Sequence, residues 1–203
     1  MDILEFTGGV LDTNCYLLTT EAGAILIDAP QDAADWLQRA NHKVDLLLLT
    51  HGHFDHVADA ARIAREHGCK VGYHKDSEQM LTDTDFFRNA GFELEIEPVG
   101  ADILVDESDG AEFLGERFRV LLVPGHCPGS LCFLHQSSST LFGGDVLFAG
   151  GIGRWDLPGG DFDTLMDGIQ GKILALDDSI RVLPGHGPPT TIGHERQTNP
   201  YLH

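Results

Sequence analysis

Positive charge is scarce in this sequence. There are 13 Lys and Arg residues against 32 Asp and Glu residues, which gives a formal net charge of -19. A surface this negative repels phosphate backbones and anionic lipid headgroups, so the composition argues against nucleic-acid and membrane partners. An anionic small molecule is still an acceptable ligand, because it needs only a local basic contact. Small molecules are therefore the expected partners.

Closely spaced cysteines and long apolar runs are also missing. The four cysteines show no CxxC spacing and are predicted to be reduced thiols (Cys15, Cys69, Cys127 and Cys132). We find neither a signal peptide at the first residues nor an apolar run of membrane-spanning length, so we expect a cytoplasmic protein. With 203 residues, 42% of them hydrophobic, the chain is predicted to form one domain over residues 1–203. Nothing in the sequence indicates an oligomeric state.

Short apolar runs alternate with amphipathic segments in both halves of the chain, which predicts an α/β fold with central strands and outer helices. Residues 15–20 and 24–30 are predicted to form a hairpin across a Gly-containing turn. Asp32 is predicted to cap the first helix, and Gly68 to end the second. Residues 75–115 carry the weakest signal. The other predicted elements are helices over 32–40, 56–68, 77–88 and 161–176, and strands over 44–50, 70–74, 117–125, 131–136, 140–145 and 180–185.

Four apolar strands are predicted to end in side chains that bind metals, and such strand ends gather on one rim of an α/β fold. The segments are THGHFDH (50–56), VPGHCPG (123–129), FGGD (142–145) and LPGHGP (183–188). They supply five imidazoles and two carboxylates: His51, His53, Asp55, His56, His126, Asp145 and His186.

The spacing of these side chains predicts two metal ions. In an extended turn, residues i and i+2 point the same way, so His51 and His53 can bind one ion together. Asp55 and His56 lie where the chain turns into a helix, and they therefore point to a neighbouring place. A single tetrahedral ion has no use for so many ligands. We assign His51, His53 and His126 to one ion, Asp55, His56 and His186 to the other, and Asp145 to a bridge between them.

Histidines also occur for simpler reasons than metal binding. A single histidine is most often a surface or core residue, which is the expectation for His42, His67, His74, His135, His194 and His203. A closed structural zinc site would favour closely spaced cysteines, which this chain does not offer. Histidine and aspartate ligands suit zinc, iron and manganese alike, so the sequence does not identify the metal. A metal-holding scaffold without catalytic activity also stays open.

The run THGHFDH, followed at a distance by His126, Asp145 and His186, resembles the metallo-β-lactamase superfamily. That resemblance implies a four-layer αββα sandwich with the metals between the two sheet edges. The segments at 144–161 and 183–202 resemble the glyoxalase II-like hydrolases, in particular the short bacterial type. Longer glyoxalase II enzymes carry a C-terminal helical domain that helps to hold glutathione. We expect this chain to lack that domain, which leaves recognition of glutathione open.

The resemblance implies a metal-dependent hydrolase of thioesters of the S-D-lactoylglutathione kind. It implies two divalent ions, with zinc as the first expectation and iron or manganese as alternatives. A hydroxide bridging the ions would attack the thioester carbonyl, with Asp55 and Asp145 as the catalytic carboxylates. The nearest rivals are the persulfide dioxygenases, which share the GRxD region but use one iron. The segment PGHGPPTT favours the hydrolase.

Three residues near the ligands have two candidate roles each. Arg154 is the best candidate for a contact with a substrate carboxylate, and an ion pair with Asp156 is the alternative. Asp28 is expected either to orient a ligand imidazole or to cap its strand-to-helix turn. Cys127 lies beside a ligand, so one candidate role is to support that ligand from behind, and the simpler one is that of a small buried apolar residue.

Overall fold

Two six-stranded sheets form the centre of the structure. The computed structural model describes residues 2–83, 85–89 and 96–203. The first sheet contains, side by side in chain order, β1 (Asp2–Gly8), β2 (Thr13–Thr20), β3 (Gly23–Ile27), β4 (Leu46–Leu48), β5 (Lys70–Tyr73) and β6 (Ile103–Leu104). The second contains β7 (Ser108–Phe113), β8 (Glu116–Leu122), β9 (Leu131–His135), β10 (Thr140–Gly144), β13 (Arg181–Pro184) and β14 (Thr190–Thr191), in the order β14-β13-β10-β9-β8-β7. A separate antiparallel ribbon pairs β11 (Leu147–Phe148) with β12 (Gly151–Ile152).

The helices are short, and all but the last lie between strands in the chain. They are α1 (Ala33–Ala40), α2 (Phe54–Val57), α3 (Ala60–His67), α4 (Glu78–Thr82), α5 (Phe86–Asn89), α6 (Phe162–Gly168) and α7 (Ile192–Thr198). A 3-10 turn (Lys75–Ser77) precedes α4, and a π turn (Ile169–Ile173) follows α6. Among the described residues, no helix has the length and apolar character needed to span a bilayer.

Alternate residues of each strand belong to different layers of the core, as the two-residue period of a strand requires. In β2, Tyr16 and Leu18 are buried between the two sheets. Their neighbour Leu17 belongs to a separate core, together with Leu37 of α1 and Ile63 of α3. The first sheet therefore presents one face to helices and the other face to the second sheet.

The second sheet repeats this arrangement. Phe133 and Phe142 are buried between the sheets. The adjacent Leu134 and Leu141 share the third core with Leu165 of α6. Helices thus cover both outer faces, which confirms the predicted four-layer αββα sandwich.

Several local predictions are confirmed, with ends shifted by a few residues. The first hairpin forms, because Thr20 pairs with Gly23 across a two-residue turn. The strand predicted over 24–30 ends before Asp28, since that residue adopts a left-handed backbone conformation with φ of 62°. Gly68 ends α3 in the same left-handed region, with φ of 63°.

Asp59 accounts for two helix predictions that were wrong, the cap of α1 and the unbroken helix over 56–68. Asp32 does not cap α1: its φ is 72° and its side chain makes no capping hydrogen bond. The cap comes from another segment, because Asp59 Oδ2 accepts a hydrogen bond from the Ala34 amide at 2.9 Å. Asp59 also stands at a break that divides the helix predicted over 56–68 into α2 and α3.

The remaining differences concern short or irregular elements. The helix predicted over 161–176 starts at Phe162 and changes into the π turn, which buries Ile169 and Ile173. The helix predicted over 77–88 is divided between α4 and α5, and its residue 84 lies outside the described residues. The elements β1, β11, β12, β14 and α7 were not predicted, and no strand bounds were predicted for β6 and β7, which lie within the weakly patterned residues 75–115.

We expect the layer between the sheets to dominate stability. Phe133 is fully buried there, so Phe133→Ala should lower the free energy of unfolding by about 3–5 kcal/mol, measured by denaturant titration. The control is Leu104→Ala, because Leu104 is 63% exposed and its loss should change stability by less than about 0.5 kcal/mol. Similar effects of the two changes would contradict the packing of Phe133 between the sheets.

Candidate metal centre

Strand direction brings the predicted ligands to one edge of the sandwich. β8 and β10 are both antiparallel to β9, and β13 is parallel to β10, so these three strands end at the same edge. His126 follows β8, Asp145 follows β10 and His186 follows β13. The loop after β4 and the short helix α2 supply the other four residues from the first sheet. The structure thus brings all seven predicted residues together.

Three of the histidines form the first group of ligand atoms. His51 Nε2 lies 3.2 Å from His53 Nδ1 and 3.3 Å from His126 Nε2. Two nitrogen ligands of one tetrahedral zinc ion, each bound at about 2.0–2.1 Å, are about 3.3 Å apart. The three nitrogens therefore have the spacing that one ion requires.

Asp55, His56 and His186 form a second group. His186 Nε2 lies 3.2 Å from Asp55 Oδ2, and His56 Nε2 lies 3.5 Å from the same oxygen. Both groups have the membership that the sequence predicted. Whether each group holds an ion stays a prediction.

Asp145 is buried between the two groups. Its Oδ2 lies 3.5 Å from His126 Nε2 and 3.4 Å from His186 Nε2. Its Oδ1 lies 3.2 Å from His56 Nε2, yet neither of these two buried atoms has a hydrogen-bond partner. Buried polar atoms are rarely left without partners. A cation bound by both atoms would satisfy them, so the residues fit divalent metal ions.

The far side of each key imidazole is fixed by a hydrogen bond. His126 Nδ1 lies 2.7 Å from the carbonyl oxygen of Arg154, and His186 Nδ1 lies 3.1 Å from that of Leu11. A carbonyl only accepts hydrogen bonds, so Nδ1 carries a proton, and in the neutral imidazole Nε2 then presents its lone pair to the centre. Such partners orient metal ligands and increase their basicity.

Asp28 holds His56 in the same way. Its Oδ2 lies 2.7 Å from His56 Nδ1 and accepts a hydrogen bond from Thr50 Oγ1 at 2.8 Å. Its Oδ1 accepts a hydrogen bond from the Thr50 amide at 2.8 Å. These contacts favour the orienting role over the capping role. The left-handed backbone of Asp28 is a strained conformation of the kind that clusters at functional sites.

The first group is electrostatically ready to bind a cation. Burial lowers the pKa of His51 well below its ordinary range and that of His53 to about 3. Burial also lowers the pKa of His126, although Asp145 opposes the shift. These histidines are therefore neutral around pH 7, which is the form that binds a metal.

In the second group the pKa values of the histidines are shifted in the opposite direction. Burial alone would lower the pKa values of His56 and His186, but the neighbouring carboxylates raise the first well above its ordinary range and the second to about 10. Burial alone would raise the pKa of Asp55, but His56 and His186 bring it down to about 2. Without metal, this group is therefore a network of imidazolium and carboxylate ions.

A cleft of about 640 Å³ opens onto both groups. Its wall contains Arg154 and five of the candidate metal ligands: His53, Asp55, His126, Asp145 and His186. Much of the remaining wall is apolar and includes Leu11, Phe54, Phe86, Phe148, Ile152 and Leu157. A ligand in the cleft would therefore contact the candidate metal ligands at one side and apolar side chains elsewhere.

Arg154 lies in the cleft wall but already has an anionic partner. Its Nε and Nη2 donate to the two carboxylate oxygens of Asp156 at 2.8 Å and 2.9 Å. The predicted ion pair is thus present, and contact with a substrate stays a prediction. Burial raises the pKa of Cys127 to about 12, and its Sγ packs 3.6 Å from Met80 Sδ, as expected for a small buried residue.

The start of β2 supports the site through contacts that were not predicted. Thr13 Oγ1 donates a hydrogen bond to Asp55 Oδ2 at 2.8 Å. Asn14 Nδ2 donates to the carbonyl oxygens of Pro184 at 3.1 Å and Gly187 at 2.9 Å, on either side of His186. Asn14 therefore ties the first sheet to the loop of His186, and Thr13 supports Asp55.

A buried carboxylate on α7 holds the ribbon of β11 and β12. Glu195 is fully buried and accepts hydrogen bonds from the Gly150 amide and from Asn199 Nδ2, at 2.9 Å and 2.8 Å. Asn199 Nδ2 also donates to the Gly151 carbonyl at 3.0 Å. The segment GHERQTNP, for which the sequence predicted no role of its own, therefore positions the ribbon that carries Phe148 into the cleft wall.

Comparison with known proteins agrees with this geometry. Residues 8–186 match the family model of the metallo-β-lactamase superfamily. The chain is 36% identical over 195 residues to hydroxyacylglutathione hydrolase GloC of Haemophilus influenzae, covering 93% of this chain and 92% of that protein. The crystal structure of BLEG-1 B3 metallo-β-lactamase is similar with a TM-score of 0.92 and 34% identity, covering 99% of both chains. The crystal structure of TTHA1623 in a di-iron-bound form is similar with a TM-score of 0.85 and 35% identity, covering 98% of this chain and 100% of that one.

The histidines of the first group are neutral and those of the second are protonated, so the two groups should release different numbers of protons when they bind metal. His186 is protonated at neutral pH and must lose its proton to bind a metal, so affinity at its group should rise with pH up to about 10. Calorimetric titration of metal-free protein in two buffers of different ionisation enthalpy measures this release. We expect His186→Ala to reduce the release by about one proton and His53→Ala to leave it unchanged. Equal reductions in both variants would contradict the assignment of charge.

One glycine tests how tightly the centre is packed. A Cβ at Gly185 would lie 2.2 Å from Asp145 Oδ1 and 2.6 Å from His56 Cε1. Gly185→Ala should therefore displace a ligand and weaken metal binding by about 5-fold to 150-fold, if the overpacking cost of about 1–3 kcal/mol falls on the metal-bound state. Gly171→Ala is the control, because a Cβ there meets nothing within 4 Å. Unchanged metal affinity in Gly185→Ala would mean that the ligands lie elsewhere.

Proposed function

We propose, given that this chain belongs to the metallo-β-lactamase superfamily, that it is a hydrolase with two metal ions that cleaves thioesters. One observation carries the proposal: the buried Asp145 forms a further group of ligand atoms with His51 and His56, one residue from each of the two groups described above, and both groups border one cleft. Similarity to a hydroxyacylglutathione hydrolase supports thioesters as the substrate class.

The ions would be held as the sequence predicts. His51, His53 and His126 would bind one, Asp55, His56 and His186 the other, and Asp145 would bind both. Two divalent ions in these positions would lower the pKa of a bound water towards neutrality and polarise a carbonyl oxygen. Zinc is our first choice, and iron is the alternative supported by similarity to a di-iron-bound structure.

The chain's own residues are suited to hydrolysis by water. Water adds to the acyl carbon, the C–S bond breaks, and the products are a carboxylic acid and a thiol. Asp55 is ionised at neutral pH, since its pKa is about 2, and Thr13 fixes one of its oxygens. Asp55 can therefore orient a water molecule by accepting its hydrogen bond. A thiol has a pKa of about 8.5, so the leaving group needs no strong general acid.

A cysteine nucleophile is disfavoured at this site. Cys127 is fully buried, and burial raises the pKa of its thiol to about 12, so almost none of it is thiolate near neutral pH. The wall of the cleft contains no serine or cysteine among the described residues. Water is therefore the nucleophile that the site supports best.

β-Lactams are a second substrate class. The structural similarity to BLEG-1 B3 metallo-β-lactamase extends over 99% of the chain. Hydrolysis of a β-lactam also begins with water adding to a carbonyl carbon, so the same groups would serve. The persulfide dioxygenase alternative is less well supported, because a single iron leaves Asp55, His56 and His186 without a metal to bind.

We expect zinc-loaded protein to hydrolyse a simple acyl thioester without oxygen. Release of the thiol is followed with a thiol reagent. His186→Ala should lower kcat/KM by about 100-fold or more, because the loss of one Lewis-acid contribution costs several kcal/mol of barrier. His194→Ala is the control, since His194 is exposed on α7 and lies outside the cleft. Turnover that requires both iron and oxygen would reverse the proposal in favour of a dioxygenase. Faster hydrolysis of β-lactams than of every thioester would change the substrate class.

A further inference from the structure

The cleft beside the metal centre offers little to a charged substrate. Its polar side chains, among the described residues that line it, are candidate metal ligands and Arg154. No Lys and no second Arg is present among those residues. Phe54, Met80, Phe148 and Leu157 belong to the apolar remainder of the wall.

The positive charge of Arg154 is already neutralised. Both oxygens of Asp156 are within hydrogen-bond distance of its guanidinium group, and such two-point pairs are the strongest geometry between arginine and a carboxylate. Nε and Nη2 of Arg154 are thus already engaged, so a substrate carboxylate bound there would have to share the guanidinium group with Asp156.

We propose that the substrate of this site is a thioester whose flanking groups are uncharged and apolar, on both the acyl side and the thiol side. The inference rests on the proposed function and narrows its substrate class. Glutathione carries two carboxylates and one ammonium group, and this cleft offers them one arginine that is already paired. An alkyl or aryl group would instead gain from burial against the apolar wall, because burial of apolar surface is favourable.

The proposal is tested with two matched series of substrates. In the first, one butyryl group is attached either to glutathione or to N-acetylcysteamine, which is uncharged. We expect kcat/KM to be at least about tenfold higher for the uncharged thioester. In the second, the acyl chain of the N-acetylcysteamine thioester is lengthened from acetyl to hexanoyl. We expect kcat/KM to rise up to about fourfold per methylene group, which corresponds to about 0.8 kcal/mol for each buried CH₂.

A variant tests the role of the ion pair. Asp156→Asn frees the charge of Arg154. The variant should therefore lower the ratio of kcat/KM for the N-acetylcysteamine thioester to kcat/KM for the glutathione thioester. Asp163→Asn removes an exposed carboxylate from α6 that makes no ion pair with Arg154, and it should leave the ratio as it is in the unmodified protein. An equal change of the ratio in both variants would show a general charge effect and would contradict the role given to the pair.

Binding without turnover separates this inference from the proposed function. Thioethers cannot be hydrolysed, so calorimetry with S-hexyl-N-acetylcysteamine and S-hexylglutathione reports on the cleft alone. Tighter binding of the uncharged thioether supports an apolar substrate class even if no thioester is cleaved. The absence of cleavage would contradict only the proposed hydrolysis. The inference would be overturned by two results together: kcat/KM for glutathione thioesters at least as high as for N-acetylcysteamine thioesters, and binding of S-hexylglutathione at least as tight as that of the uncharged thioether. The proposed hydrolase function would survive that outcome.

Discussion

The arrangement of this protein depends on one buried carboxylate and the charges that must surround it. Asp145 lies at the end of β10 with 9% of its surface exposed, and a charge removed from water in this way is costly unless it is paired. The fold supplies His56, His126 and His186 to its two oxygens. One contact is still incomplete, because Asp145 Oδ1 and His56 Nε2 face each other without a hydrogen bond. The site is thus built for positive charge, and divalent cations meet that requirement.

The rest of the sandwich serves to hold those side chains in place. The imidazoles are fixed from behind by groups from distant segments: the Leu11 carbonyl before β2, the Arg154 carbonyl after β12, and Asp28 after β3. The ribbon of β11 and β12 is in turn held by Glu195 on α7. Changes at a distance from the centre can therefore alter it, since a ligand displaced by about 1 Å can lose much of its effect. The same ribbon carries part of the apolar cleft wall, which links the geometry of the centre to the choice of substrate.

The alternation of apolar and amphipathic segments predicted the α/β class, and the resemblance to a known superfamily implied the four layers. The structure brings the seven residues predicted as ligands to one edge of the sandwich, where Asp145 follows its apolar strand directly. Their binding of metal stays a prediction. The misses have a different origin. Asp32 was expected to cap α1, but the cap comes from Asp59, which is close only after folding. The carbonyls that orient the imidazoles belong to Leu11 and Arg154, and every residue has a carbonyl, so no residue type signals such a contact. The short elements β11, β12 and β14 depend on pairing with distant strands more than on their own composition.

The central claim is that one chain holds two metal ions that share Asp145. X-ray absorption at the metal edge, on protein loaded with zinc and freed of excess metal, tests it most directly. The account predicts two ions per chain, an imidazole-rich coordination shell, and a metal neighbour at about 3.5–4 Å from each ion. It further predicts that the metal–metal signal is lost in Asp145→Asn, while Asp163→Asn retains it. One ion per chain, with no metal neighbour even at saturating zinc, would contradict the account.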